Sequence, residues 1–316
     1  MTVMPADRST SRHEPARPDL IAPGSALYTM LCDATLMIYG LPLFLLPLLH
    51  PATSDATFHY DPVVADPDAG LDRYAGRMWA TIAMVSGTVY AGPEATHVRY
   101  AMRELHKGTK GTLENGESYH AWSRDIWRWN WAAISAAILD TYATFRGFPS
   151  EQFGDDAYQG LVEIGTTFGV LGMPDTRAEF ASWWPLERDR IAELSPAIHR
   201  IMGVTRRADL RPPHALRFLP RPLWTLMGAP IRHFMRVSVR AGVPRHLHPD
   251  LGLVHDRRDA VLLRVHRAAW RVVPRRATHE VGRLALAAHA RFGTPVWRTR
   301  YSSAGLAGRA HRPSAE

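Results

Sequence analysis

The chain has 316 residues, 46% of them apolar and 22% charged, which is enough to bury a substantial core and too apolar for a disordered chain. Its single cysteine, Cys32, excludes an internal disulfide, a cysteine-rich zinc module and a metal cluster held by four cysteines of this chain. The net charge of +8 is unevenly spread: residues 200–316 hold 23 arginines against six acids, whereas residues 1–199 hold 24 acids against 15 lysines and arginines. A basic half of this kind suits nucleic acid, an anionic membrane surface or acidic ligands. No nucleic-acid module is recognisable in it, so no nucleic-acid partner is expected. The arginines read chiefly as a solvated face, with peripheral contact to an anionic membrane as the alternative.

In chain order, residues 1–26 carry charges and prolines without the apolar stretch of a secretion signal. They are expected to form a disordered leader, and a cytoplasmic location is expected. The run Leu36 to Leu49 is the most apolar. Its 14 residues fall short of the roughly 20 that span a bilayer, and it holds Pro42 and Pro47, so it predicts a buried helix kinked by proline, with a membrane-dipping segment as the alternative. Helical spacing continues over residues 74–91, stopped by Gly92-Pro93, and over residues 93–107. Residues 108–119 predict a loop or short hairpin. Ser123 and Asp125 open a helix that runs to the break at Arg146-Gly147-Phe148-Pro149. Ser150 and Glu151 open another, to about Leu171, ended by Gly172-Met173-Pro174, with Asp175 and Thr176 to cap the next. Beyond residue 200, frequent prolines predict short helices in loops, with longer helices near 256–272 and 277–291 and a frayed tail after Phe292. The predicted class is all-α. One domain is expected over residues 27–292, with a core at 33–200, a basic helical extension at 200–292 and a flexible tail at 293–316.

Most catalytic signatures are missing: there is no GxSxG elbow, Walker loop, GxGxxG or HExxH. His246 and His248 read as a solvated loop pair rather than metal ligands. Cys32 reads as a small buried hydrophobe rather than a haem thiolate. Gly165, Gly169 and Gly172 form a small-residue strip, expected to serve helix packing. Trp122, Trp127, Trp129 and Trp131 read as core whose indole N–H groups need acceptors. Arg77 and Thr81 are four residues apart and share a helix face, as do Arg99, Arg103 and His106. A neutral imidazole on an apolar helix is a good iron ligand, and nearby arginines would meet the two propionates of a haem. By spacing alone, such a histidine is more often an ordinary core or surface residue.

Four stretches together resemble the catalytic domain shared by rubber oxygenases (latex clearing proteins) and MpaB-type oxygenases. They are YGLPLFLLPLLHP (Tyr39 to Pro51), DRYAGRMWATIAMVSGTVYAGPEA (Asp72 to Ala95), RYAMRELHKGTKGTLENGESYHAWSRDIWRWNWAAI (Arg99 to Ile134) and YATFRGFPSEQFGDDAYQGLVEIGTTFGVLGMP (Tyr142 to Pro174). The later VPRHLHPDLGL is similar to the family's ending. The resemblance implies an all-α helical bundle with a globin-like haem-binding core. It implies haem b as cofactor, His106 as the proximal iron ligand, Arg103 three residues before it, and Arg77 and Thr81 as the Arg-x-x-x-Thr pair near the haem, with Arg77 and Thr81 taking part in catalysis. The implied activity is that of a haem-dependent oxygenase using dioxygen on a small apolar or unsaturated substrate, prenyl or isoprenoid in kind.

The sequence also departs from the pattern. Ala80 stands where rubber oxygenases can carry a distal lysine, so the sixth iron position is expected to be open or water-filled unless His50, His59 or another histidine swings in. Trp131 stands where the family often has a histidine. The glutamate base has no clear counterpart, although Asp55, His59 and Asp61 lie in that region. A non-catalytic binder of haem or an apolar ligand, and a basic surface- or lipid-associated helical protein, are the alternative readings.

Overall fold

The computed structural model describes residues 21–66, 69, 71–90, 104, 106–206, 220–253 and 257–292. Arg99 and Arg103, most of the predicted helix 93–107, most of the predicted leader and the tail lie outside the described residues. The apolar run Leu36 to Leu49 does not make the single kinked helix that its composition predicts. It forms α2 (Ala34–Tyr39), α3 (Leu41–Leu45) and a 3₁₀ turn (Pro47–Leu49). Pro42 and Pro47 each stand in a first turn, where no backbone N–H is needed, so they start elements rather than bend one. Asp33 caps α2 by accepting the Thr35 N–H at 2.8 Å. Apart from Ile38, 38% exposed, the run is buried inside the protein. Among the described residues no helix is long and apolar enough to cross a membrane.

Around this run lie α1 (Ala26–Leu31), α4 (Pro51–Tyr60) and α5 (Leu71–Tyr90). A hairpin of β1 (Lys110–Thr112) and β2 (Ser118–His120) follows, antiparallel with Gly111 opposite Tyr119, as residues 108–119 predict. The axis of the fold is α6 (Arg124–Phe145). It is buried on nearly every side and packs against α2, α3, α7 (Glu151–Thr167), α10 (Arg221–Gly242) and α11 (Arg257–Val272). A helix that is apolar all round belongs inside a bundle. Its tryptophans meet the expected requirement: the indole N–H groups of Trp127, Trp129 and Trp131 donate to the carbonyls of Phe168, Pro47 and Leu161 at 3.2, 3.2 and 2.8 Å.

Helix α7 stops at Thr167, before the predicted Leu171. Gly169 takes φ +82°, and the N–H groups of Gly169 and Val170 turn back to Thr166 O and Gly165 O, both at 2.9 Å, which closes the helix end. Gly169 and Gly172 therefore lie outside any helix, and the expected glycine strip reduces to Gly165, against which Trp131 packs. Thr176 caps α8 (Arg177–Ile191) in a capping box with Glu179. Then come α9 (Pro196–Arg206), α10, a 3₁₀ turn (Arg245–Leu247), α11 and α12 (Arg275–Phe292). The prolines after residue 200 do not enforce short helices throughout, because α10 runs 22 residues with Pro222 in its first turn and Pro230 inside it. The fold is all-α, with one small hairpin among the described residues.

The basic extension is tied to the core by buried polar groups. Asp33 Oδ2 accepts the Thr278 hydroxyl of α12 at 2.7 Å and faces Arg146 Nε at 3.5 Å, both members of the ion pair being 1% exposed. Arg146 Nη1 donates to the carbonyls of Trp270 and Val273. Arg275 of α12 donates to the Tyr142 hydroxyl at 2.9 Å and to Arg146 O at 3.2 Å.

Candidate functional site

Helix α4 ends at Asp61, and Pro62 follows it. The Asp61 carboxylate turns back on its own chain, with Oδ1 accepting the N–H groups of Val63 and Val64 at 2.9 and 3.2 Å. Its second oxygen, Oδ2, takes the Nε–H of Arg77 from α5. Arg77 Nη1 then donates to Thr81 Oγ1 at 2.5 Å, one turn along the helix, and the guanidinium lies 5.2 Å from the Phe44 ring centroid. Asp61 is 7% exposed and Arg77 31%. The cation is thus anchored on its buried side and open on the other. The structure brings Arg77 and Thr81 together as the four-residue spacing predicts. It also adds Asp61, which the sequence offers only as one of three acids or histidines near the missing glutamate. With its oxygens committed to three donors, Asp61 is an anchor for Arg77 rather than a base.

His106 stands elsewhere, at the helical segment just before the hairpin. Its carbonyl accepts the Thr109 N–H at 3.2 Å, and its half-buried ring lies 5.1 Å from the Trp127 ring, edge-on, with the Trp122 ring tilted against Trp127 at 4.8 Å. The His106 ring therefore rests on Trp127 of α6, backed by Trp122 from the turn before it, while Arg77 and Thr81 sit on α5, and α3 packs against both helices.

The other candidates have structural duties. His50 accepts the Ala52 N–H at Nδ1 (3.2 Å) and lies edge-on to Trp129 at 5.6 Å, and burial lowers its pKa. It caps α4, and this bond occupies the ring nitrogen that carries no proton. His59 pairs with Asp55 at 3.3 Å on the surface, and Asp55 accepts the Tyr119 hydroxyl at 2.7 Å, joining α4 to the hairpin. Burial drives the Tyr119 hydroxyl pKa upward. The expectation that His246 and His248 are both solvated is corrected. His246 is exposed, but His248 is buried and its Nε2 donates to Val243 O at 2.9 Å, holding the loop after α10. Cys32 is a buried hydrophobe as expected, its thiol pushed up to about 12 by burial. No cluster of three or more His, Cys, Asp or Glu side chains suited to a metal ion occurs among the described residues.

A feature without any sequence signal lies between α10 and α11. A cavity of about 230 Å³ there is lined by His233, Arg236, Val237, Arg240 and Leu262, among others. His233 Nε2 meets His266 Nε2 at 2.9 Å, and His266 Nδ1 meets the Tyr39 hydroxyl at 2.7 Å, while Trp270 Nε1 donates to that hydroxyl at 2.8 Å. None of the residues predicted for the haem lines this cavity.

The residues present fit a haem in their chemistry. His106 offers a partly exposed imidazole on an apolar aromatic wall, and Arg77 offers a partly exposed guanidinium fixed from behind by a buried carboxylate. Over residues 28–274 the chain matches the family model described as ER-bound oxygenase mpaB/B'/Rubber oxygenase, catalytic domain, and it belongs to that family. No curated protein and no solved structure matches it.

Proposed function

We propose that the chain is a haem b-dependent oxygenase acting with dioxygen on a small apolar, unsaturated substrate of prenyl or isoprenoid kind. The observation that carries the reading is the family match over residues 28–274, which spans α5, His106 and α6. In this reading His106 holds the iron through one ring nitrogen, and Trp127 and Trp122 keep that side of the ring dry. Arg77 and Arg103 meet the propionates. Asp61 supports this by fixing Arg77 Nε, so that the guanidinium is oriented before any anion arrives. Thr81 works through its hydroxyl. It accepts from Arg77 and donates along its own helix to Arg77 O at 3.3 Å, a long bond that is easily exchanged for a bond to a polar atom in the pocket. When bound, the haem supplies the activation of dioxygen that side chains lack. Phe44 and the buried leucines of residues 36–49 supply apolar wall, against which an alkene is held by burial rather than by hydrogen bonds.

The test is an absorption spectrum of protein expressed with haem supplied, beside His106→Ala, together with oxygen uptake on isoprenoid alkenes. A Soret band in the wild type that is lost in the variant is the expected result. Colourless wild-type protein, or equal spectra for both, would overturn the assignment. A coloured protein that consumes no oxygen with any alkene would leave the haem-binder reading instead.

A further inference from the structure

In a soluble protein an amphipathic helix turns its apolar stripe to the core. Helix α11 does so only in part: Leu263 and Trp270 pack against the cluster of Tyr39, Phe145 and Val237, but a second apolar stripe faces outward. Its inward side carries Leu263, His266, Arg267 and Trp270, and three of these dock by polar bonds: His266 and Trp270 to the Tyr39 hydroxyl, and Arg267 Nε to Thr144 O at 3.1 Å. Its outward side carries Val261, Val265 and Val272, exposed by 47%, 56% and 80%, with Ala268 among them. The spacings of four, three and four place these residues in one stripe, about 16 Å long at the rise of an α-helix. Along one flank of that stripe Arg257, Arg264 and Arg271 recur every seven residues, all exposed. On helix α12, Val281 and Leu284 are also more than half exposed.

Single exposed valines are ordinary, but an outward stripe with a cationic row beside it is not. We propose that the outer face of α11 seats on an anionic lipid surface, with the valines entering the headgroup boundary and Arg257, Arg264 and Arg271 on the lipid phosphates. The chemistry selects this occupant. Nucleic acid would use the arginines and leave the valines in water. A second copy packed symmetrically on this face would bring two arginine rows together, and the stripe has none of the exposed aromatic residues or methionines that mark the centre of protein interfaces. A bilayer surface rich in anionic lipid satisfies both halves of the pattern, as interfacial helices do.

Co-sedimentation of the full-length chain with vesicles tests this. The vesicles are phosphatidylcholine alone, or phosphatidylcholine mixed with phosphatidylglycerol. Binding is expected to the mixed vesicles only and to weaken with salt. The pairs Val261→Asp with Val265→Asp, and Arg264→Glu with Arg271→Glu, are each expected to reduce partitioning roughly tenfold or more. Val265→Ser, a milder change at an exposed position, should reduce it less, and all variants should melt with the wild type. Any of four results overturns the proposal: equal binding to both vesicle types, wild-type binding by the valine variants, a dimer that the valine variants dissociate, or capture by nucleic acid that only the arginine variants lose.

Discussion

Replacing Asp33 by alanine removes the centre of the buried polar knot that joins α2, α6 and α12. The carboxylate accepts the Thr35 N–H at 2.8 Å, the Thr35 hydroxyl at 2.7 Å and the Thr278 hydroxyl at 2.7 Å, and it faces Arg146 at 3.5 Å. Without it Arg146, 1% exposed, keeps its charge with only the Trp270 and Val273 carbonyls for company. Breaking a buried pair on one side costs about 3–5 kcal/mol, and losing a helix cap costs about 1 kcal/mol more. The two carbonyls offset part of this, so a loss of about 4 kcal/mol is expected. That is a large share of the roughly 5–15 kcal/mol typical of a folded domain. At about 2 °C per kcal/mol for a chain of this size, the midpoint should drop by about 8 °C. Urea unfolding followed by circular dichroism reads the difference directly. Asp33→Asn, which keeps an acceptor for Thr35, should lose less. Asp33→Ala combined with Arg146→Met should be more stable than Asp33→Ala alone, because the stranded charge is gone. A loss below about 1 kcal/mol in Asp33→Ala would refute the idea that this knot holds the basic helices to the core.

Asp61→Asn should loosen Arg77 and weaken haem uptake roughly tenfold in a haem titration, with little change in melting; unchanged affinity would mean that Arg77 needs no anchor. Burial lowers the pKa of His50, so the folded form resists the proton that the unfolded chain accepts as the pH falls through about 6.5. Stability is therefore expected to be full above that pH and to decline below it, and a pH series of unfolding midpoints should be flatter in His50→Gln. Cys32 should resist Ellman's reagent in the native protein and react as a single thiol per chain in urea, since its thiol is pushed up to about 12; rapid native labelling would show that the α1–α2 junction opens.

Local chemistry in the sequence reports local structure well. Ser150 and Thr176 cap where their hydroxyls reach the first N–H groups of the next helix, and the tryptophans of α6 find the acceptors they require. Proline is a weaker guide. Pro42 and Pro47 divide one apolar run into three elements, while Pro185 and Pro230 lie inside helices that continue past them. At the site, the Arg77–Thr81 bond follows from a spacing of four. The Asp61–Arg77 pair joins two elements across a turn, and no periodicity announces it. More distant still is the Tyr39–His266 contact, 227 residues apart in the chain, which only the packed bundle creates. The outward stripe of α11 was hidden for a related reason: valines and arginines mark a helix, but only its neighbours decide which side turns outward.

Asp33 and Thr278 are separated by 245 residues, so the two halves of their bond leave the ribosome far apart in time. At ordinary rates of synthesis the interval is on the order of 12–50 s. Over the later part of that interval Arg146 has been made and can sit beside Asp33, but the hydroxyl that completes the carboxylate's shell does not yet exist. Until the last helices arrive, water must stand in for the Thr278 hydroxyl and the Trp270 and Val273 carbonyls around this charge pair, so its burial is one of the last events in forming the fold.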